Sequence, residues 1–166
     1  MRRPRLSARL VGAAALLSVL VAGCKPELIP GTSLEDTPEN RAVVDFLEQY
    51  RTAVEARAAD KVLALVASDY WEDNGTVEQA DDYGVEKLQR ELDDLFGHTR
   101  TIHLEVQVQH VERQGEVVRV DYRYLQRALL ALEAGEKWVS HSDVNRIVLR
   151  PRGEAPEDGF EIVSGL

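Results

Sequence analysis

Ile102-His103-Leu104-Glu105-Val106-Gln107-Val108-Gln109 alternates apolar and polar side chains without a break. A period of two places four aliphatic residues on one face of an extended strand and four polar ones on the other, so the stretch predicts a strand buried on one side only. Arg113-Gln114-Gly115-Glu116 then predicts a turn. Beyond it Val118, Val120, Tyr122 and Tyr124 alternate with Arg119, Asp121 and Arg123. Two alternating runs joined by a short Gly-containing turn predict an antiparallel hairpin. Residues 125–132 suit either a strand or a helical turn and are read as a continuation of the second strand. Glu133-Ala134-Gly135-Glu136 turns the chain again, residues 138–149 predict a third long strand, and Phe160-Glu161-Ile162-Val163 a short last one after an acidic loop over 151–159.

Upstream of the strands the period is helical. Thr37-Pro38-Glu39 reads as an N-cap, a first-turn proline and an acidic residue at the positive end of the helix dipole. Val43, Leu47, Tyr50 and Val54 follow at helical spacing. Asp60 is expected to cap a second, short and largely buried helix over 61–67. A third is expected near Asp82, with Val85, Leu88, Leu92, Leu95 and Phe96 on one face and Gly97 as its stop. Three helices followed by a meander of long strands make an α+β domain in which the helices cover one face of a curved, mostly antiparallel sheet.

The chain has 166 residues and a formal charge of −9, and its one cysteine, Cys24, closes a different kind of segment. Arg2, Arg3, Arg5 and Arg9 precede an apolar run from Leu10 to Ala22 that is shorter than a spanning helix needs. Leu20-Val21-Ala22-Gly23-Cys24 resembles the lipobox of bacterial lipoproteins. That resemblance implies a signal peptide over 1–23, cleavage before Cys24, and diacylglyceryl attachment to its thiol. Residues 24–36, with Pro26, Pro30 and Gly31, are then expected to form a flexible tether, and residues 37–166 a single domain. The resemblance places the protein in a bacterial cell envelope, bound to the membrane through its lipid. Lys25 after the cysteine slightly favours the outer over the inner membrane. The leader takes four arginines with it, so the remaining domain is more acidic than the whole chain, which argues against nucleic acid as a partner.

The order of elements over 37–166 resembles the nuclear transport factor 2-like cone fold, a superfamily that includes ketosteroid isomerases, scytalone dehydratase and SnoaL-type cyclases. The resemblance rests on Thr37-Pro38-Glu39, the helix through Tyr50 to Asp60, Leu65-Val66-Ala67-Ser68-Asp69 and Asp143-Val144-Asn145-Arg146. It implies a general base at Asp73, with Tyr50 and a protonated Asp143 as hydrogen-bond donors. It also implies homodimers formed through the outer face of the sheet. Each residue has a plainer reading: Tyr50 as core, Asp143 as a strand-edge contact, and Asp73 as part of the turn that Asn74-Gly75 demands. Trp71, Tyr122, Trp138 and His141 are candidate lining residues for an apolar pocket. The acidic run over 72–82 reads as a solvated loop with Asp81 or Asp82 capping the third helix, and no cofactor or metal is expected. The sequence therefore carries two functional expectations. One is a lipid-anchored domain that binds a small apolar ligand or a protein partner without catalysis. The alternative is an isomerase, dehydratase or cyclase built on Asp73, Tyr50 and Asp143.

Overall fold

The structure, a computed structural model, describes residues 26–75 and 80–166. The leader, Cys24 and Lys25 lie outside the described residues. Helix α1 spans Pro38–Glu55, α2 Ala59–Leu63 and α3 Val85–Gly97. Strands β1 (Trp71–Glu72) and β2 (Tyr83–Gly84) form a small ribbon. Strands β3 (Thr99–Gln114), β4 (Val117–Leu132), β5 (Gly135–Pro151) and β6 (Phe160–Ser164) form an antiparallel sheet in the order β3-β4-β5-β6. The domain is α+β, with the helices on one face of a curved four-stranded sheet.

Thr37 caps α1 as its sequence predicts, accepting the Asn40 N–H at 3.2 Å. The other two helix starts differ from expectation. Ala58 is the N-cap of α2, which puts Asp60 inside its first turn, and the helix ends at Leu63 rather than continuing to residue 67. Gly84 is the N-cap of α3, so neither Asp81 nor Asp82 holds that position. The exit of α2 is fixed by backbone bonds: the Ala67 N–H donates to Ile162 O and the Ile162 N–H to Leu65 O, tying it to β6.

Residues 125–132 are strand, paired with β5 along their length and with β3 as far as Leu130. The β3–β4 reversal is a two-residue turn in which Gly115 sits at φ 61°, a backbone region that favours glycine. Register then decides which side chains face the helices. Tyr122 lies opposite Val108 and Asn145, and Tyr124 opposite Val106 and Asp143. Val118, Val120, Tyr122, Ile147, Leu149, Phe160 and Ile162 pack with Val43, Phe46 and Leu47 of α1 in one core cluster, and Ile102, Leu104 and Ala128 with Ala53, Val54 and Phe96 in a second. The Leu104 N–H donates to Glu55 Oε1 at 2.8 Å, which fixes the end of α1 to β3.

The stretch expected to be a flexible tether is largely folded. Leu28 and Glu35 pair as an isolated antiparallel bridge, the Ile29 N–H donates to Leu34 O at 3.0 Å, and Ile29 and Leu34 are buried in the first core cluster. Two apolar residues that find a hydrophobic groove outweigh the turn-forming Pro30-Gly31 between them, which become the tip of the turn.

Candidate ligand cavity

Where α1 and α3 part over the sheet they leave a cavity of about 170 Å3. Tyr50 and Val54 of α1 and Leu92, Leu95 and Phe96 of α3 form its helical wall. Leu104 of β3, Tyr122, Tyr124 and Gln126 of β4 and Asn145 of β5 form its floor, and Gly165 and Leu166 close one end. The helical spacing Tyr50-Val54 on α1 and Leu92-Leu95-Phe96 on α3 turns these residues inward together. On β4 the period of two does the same for Tyr122, Tyr124 and Gln126.

No lining side chain is a carboxylate, imidazole, thiol or amine. The polar groups are three phenols and two amides. Asn145 Nδ2 donates to the Tyr122 hydroxyl at 3.3 Å and to Gly165 O at 3.2 Å. The Tyr50 and Tyr124 hydroxyls and the Gln126 amide have no hydrogen-bond partner among the described residues. Burial pushes the Tyr50 phenol well above its ordinary range, with a smaller contribution from the neighbouring Tyr122 and Tyr124. Burial likewise raises Tyr122, and it raises Tyr124 with help from the Asp143 charge. All three phenols therefore keep their protons at neutral pH and offer donors to whatever occupies the space.

The residues expected to act together are not brought together. Tyr50 and Tyr122 line the cavity; Asp73 and Asp143 do not. Asp73 is exposed in the turn after β1, where Oδ1 accepts the Gly75 N–H at 2.9 Å, and it borders an outer groove with Glu72, Asn74 and Arg146. Asn145, Gly165 and Leu166 line both that groove and the cavity. Asp143 shares a sheet face with Asn145 but is solvent-exposed, and its Oδ1 accepts the Val144 N–H at 2.8 Å. His141 is exposed beyond the cavity, its ring 5.7 Å from that of Tyr124. Trp138 lies on the opposite face of the sheet, stacked on His103 with 6.2 Å between ring centroids. Trp71 is exposed on β1. Sequence reasoning missed Gln126 as a lining residue; alternation puts Asn145 on one side of its strand with His141 and Asp143, as either pocket lining or solvent face, and of the three only Asn145 lines the cavity.

No family model and no curated protein matches the chain. Solved structures do match. A candidate dehydratase of the NTF2-like family from Streptomyces avermitilis superposes with a TM-score of 0.60 at 16% identity, covering 78% of this chain and 95% of that one. A ketosteroid isomerase-like protein from Erwinia carotovora atroseptica gives 0.57 at 13%, covering 76% and 92%. The fold is the nuclear transport factor 2-like cone. A superfamily protein from Salmonella enterica serovar Typhimurium agrees, with a TM-score of 0.56 at 8% identity, covering 76% and 87%. At such identities the likeness establishes the cone and not an activity.

Proposed function

We propose that the chain is a lipid-anchored cell-envelope protein whose cone domain binds a small, neutral, mostly apolar molecule without converting it. The carrying observation is the Tyr50 hydroxyl, which faces the cavity between α1 and the sheet with no partner among the described residues, in a lining with no charged side chain. No buried side-chain polar atom among the described residues lacks a partner, so this hydroxyl is open to water in the cavity, and a ligand with a carbonyl, ether or phenol oxygen would take the place of that water. Proton transfer at neutral pH needs a group titrating near neutrality, and phenols pushed upward by burial move away from it. Asp73 lies in the outer groove, which leaves the isomerase-type mechanism without a base at the cavity.

Size narrows the ligand. A cavity of about 170 Å3 is close to the ~150 Å3 that accommodates a benzene-sized molecule. A single ring with one oxygen acceptor fits this space; a four-ring steroid does not. Thermal unfolding of the full chain in mild detergent with cyclohexanone, acetophenone, methyl benzoate and progesterone tests this. The single-ring compounds should raise Tm in wild type and lose most of that effect in Tyr50→Phe, with progesterone inert. Stabilisation by progesterone alone, or by none of the four, would overturn the reading. Anchoring is tested separately: Cys24→Ser should abolish incorporation of labelled fatty acid.

A further inference from the structure

Strand β5 runs from Gly135 to Pro151, yet β6 covers its outer edge only from Val148 onward. Over residues 136–146 that edge has no strand neighbour among the described residues. Along β5 the even-numbered residues turn their N–H and C=O groups away from β4. Two of the outward N–H groups are already occupied, Val144 by Asp143 Oδ1 and Arg146 by Asn145 Oδ1, each at 2.8 Å. The stretch before them carries no such cover. It also presents two exposed large apolar side chains, Trp138 (50%) and Val144 (53%), on the face away from the helices. A bare edge beside exposed apolar side chains is a template for another strand.

We propose that this edge pairs with the same edge of a second copy of the chain, antiparallel about a two-fold axis at Ser140. Self-pairing of a strand fixes every partner once the axis is placed. With the axis at Ser140, Lys137 faces Asp143 of the other copy twice, joining opposite charges on the helix side of the sheet. On the outer side Trp138 faces Ser142 and lies diagonal to Val144, so the exposed apolar groups meet across the junction. Positions 136 and 144, 138 and 142, and 140 with itself become the mutually bonded pairs, using the outward backbone groups that are free. Asp143 then exchanges its own backbone contact for Lys137, which releases the Val144 N–H to the partner strand.

Neighbouring registers are worse. Moving the axis to Val139 sets Lys137 against His141. Moving it to His141 sets that residue against itself and Asp143 against Val139. An axis at Ser142 drives the partner strand onto ground held by β6, since position 136 would face Val148, already paired with Ser164. Gly165 also blocks that end, because a Cβ there would stand 2.2 Å from Arg146 O. At Ser140 the partner's Gly135 faces Asn145 and its turn leaves the sheet just short of this obstacle.

Cysteine crosslinking of the full chain in mild detergent tests the register. In a Cys24→Ser background, Ser140→Cys places two thiol-bearing residues opposite each other at about 5.5 Å between Cα atoms, within disulfide range. Mild oxidation should give predominantly dimer on a non-reducing gel. Ser142→Cys should lag, and Ser68→Cys, exposed and remote, should show only collisional crosslinking. Lys137→Asp or Asp143→Lys should each slow Ser140→Cys crosslinking about tenfold, and the two together should restore it. All these positions are exposed, and far-ultraviolet circular dichroism checks that each variant is folded. Ser140→Cys crosslinking no faster than Ser68→Cys, faster crosslinking at Ser142→Cys, or failure of the charge swap to rescue would each overturn the proposal.

Discussion

Replacing Tyr50 with phenylalanine should leave the empty protein about as stable as wild type. The substitution keeps the ring that packs against both core clusters and deletes only a hydroxyl with no partner among the described residues. A hydroxyl open to water in the cavity carries no desolvation penalty to recover, so the change should stay within about 0.5 kcal/mol. For a domain of this size that corresponds to a Tm shift of no more than about 2 °C. Tyr122 supplies the contrast. Its hydroxyl accepts from Asn145 Nδ2, so Tyr122→Phe loses a bond and should cost about 1 kcal/mol. Urea unfolding followed by circular dichroism measures both, and the difference between the two variants makes the comparison independent of the absolute scale. If Tyr50→Phe destabilises by as much as Tyr122→Phe, the Tyr50 hydroxyl is satisfied in the empty protein and the argument for a ligand there fails. A hydroxyl that adds nothing to stability is free to serve a ligand.

The rest of the molecule gives sharper structural tests. Leu149→Ala, at a fully buried position of β5, should cost about 3 kcal/mol by chemical denaturation. Thr37→Ala should cost about 1 kcal/mol through loss of the α1 cap, with Thr37→Ser close to neutral. Ile29→Ser should lower Tm as a core substitution does, which a free tether would not allow. In acid, Arg150 bonds the carboxylates of Asp69 and Glu161, and its hydrogen bonds hold the Asp69 carboxyl below the usual range. A depressed folded value means the stabilisation is present above the unfolded pKa of about 4 and fades as pH falls through the folded one. Arg150→Gln should therefore show a shallower loss of stability below pH 4 than wild type, measured by urea midpoints across pH.

The strand pattern was legible because a period of two over eight residues has one physical solution in water, a strand with one wet face. Helix starts were less so. Asp60 and Asp82 are residue types that favour N-caps, but the caps are Ala58, whose N–H donates to Ala53 O at the end of α1, and Gly84, held in the β1–β2 ribbon. For the site, alternation reveals which face a residue shares but not how far along the strand the helices reach. Asn145, Asp143 and His141 lie on one face of β5 and all three are exposed, yet only Asn145 borders the cavity. Trp138 was misplaced for another reason: aromatic content suggests a pocket, while its even position puts it on the outer face. Tyr50 could be placed because helix phase and depth coincide on α1.

The docked segment before α1 changes how far the domain can stand from a membrane. Were residues 24–36 free, a leash of about a dozen residues would let the cone roam about 40 Å from its anchor. With Ile29 packed into the core, only the span from Cys24 to Ile29 remains, about 17 Å at full extension. An acylated Cys24 would then hold the cone against the lipid headgroups by the corner where residues 27–36 dock, so its rotation, and not only its height, would be limited. Two copies paired through β5 would each be pinned this way, and their two short leashes would fix the joined sheet at one tilt to the bilayer.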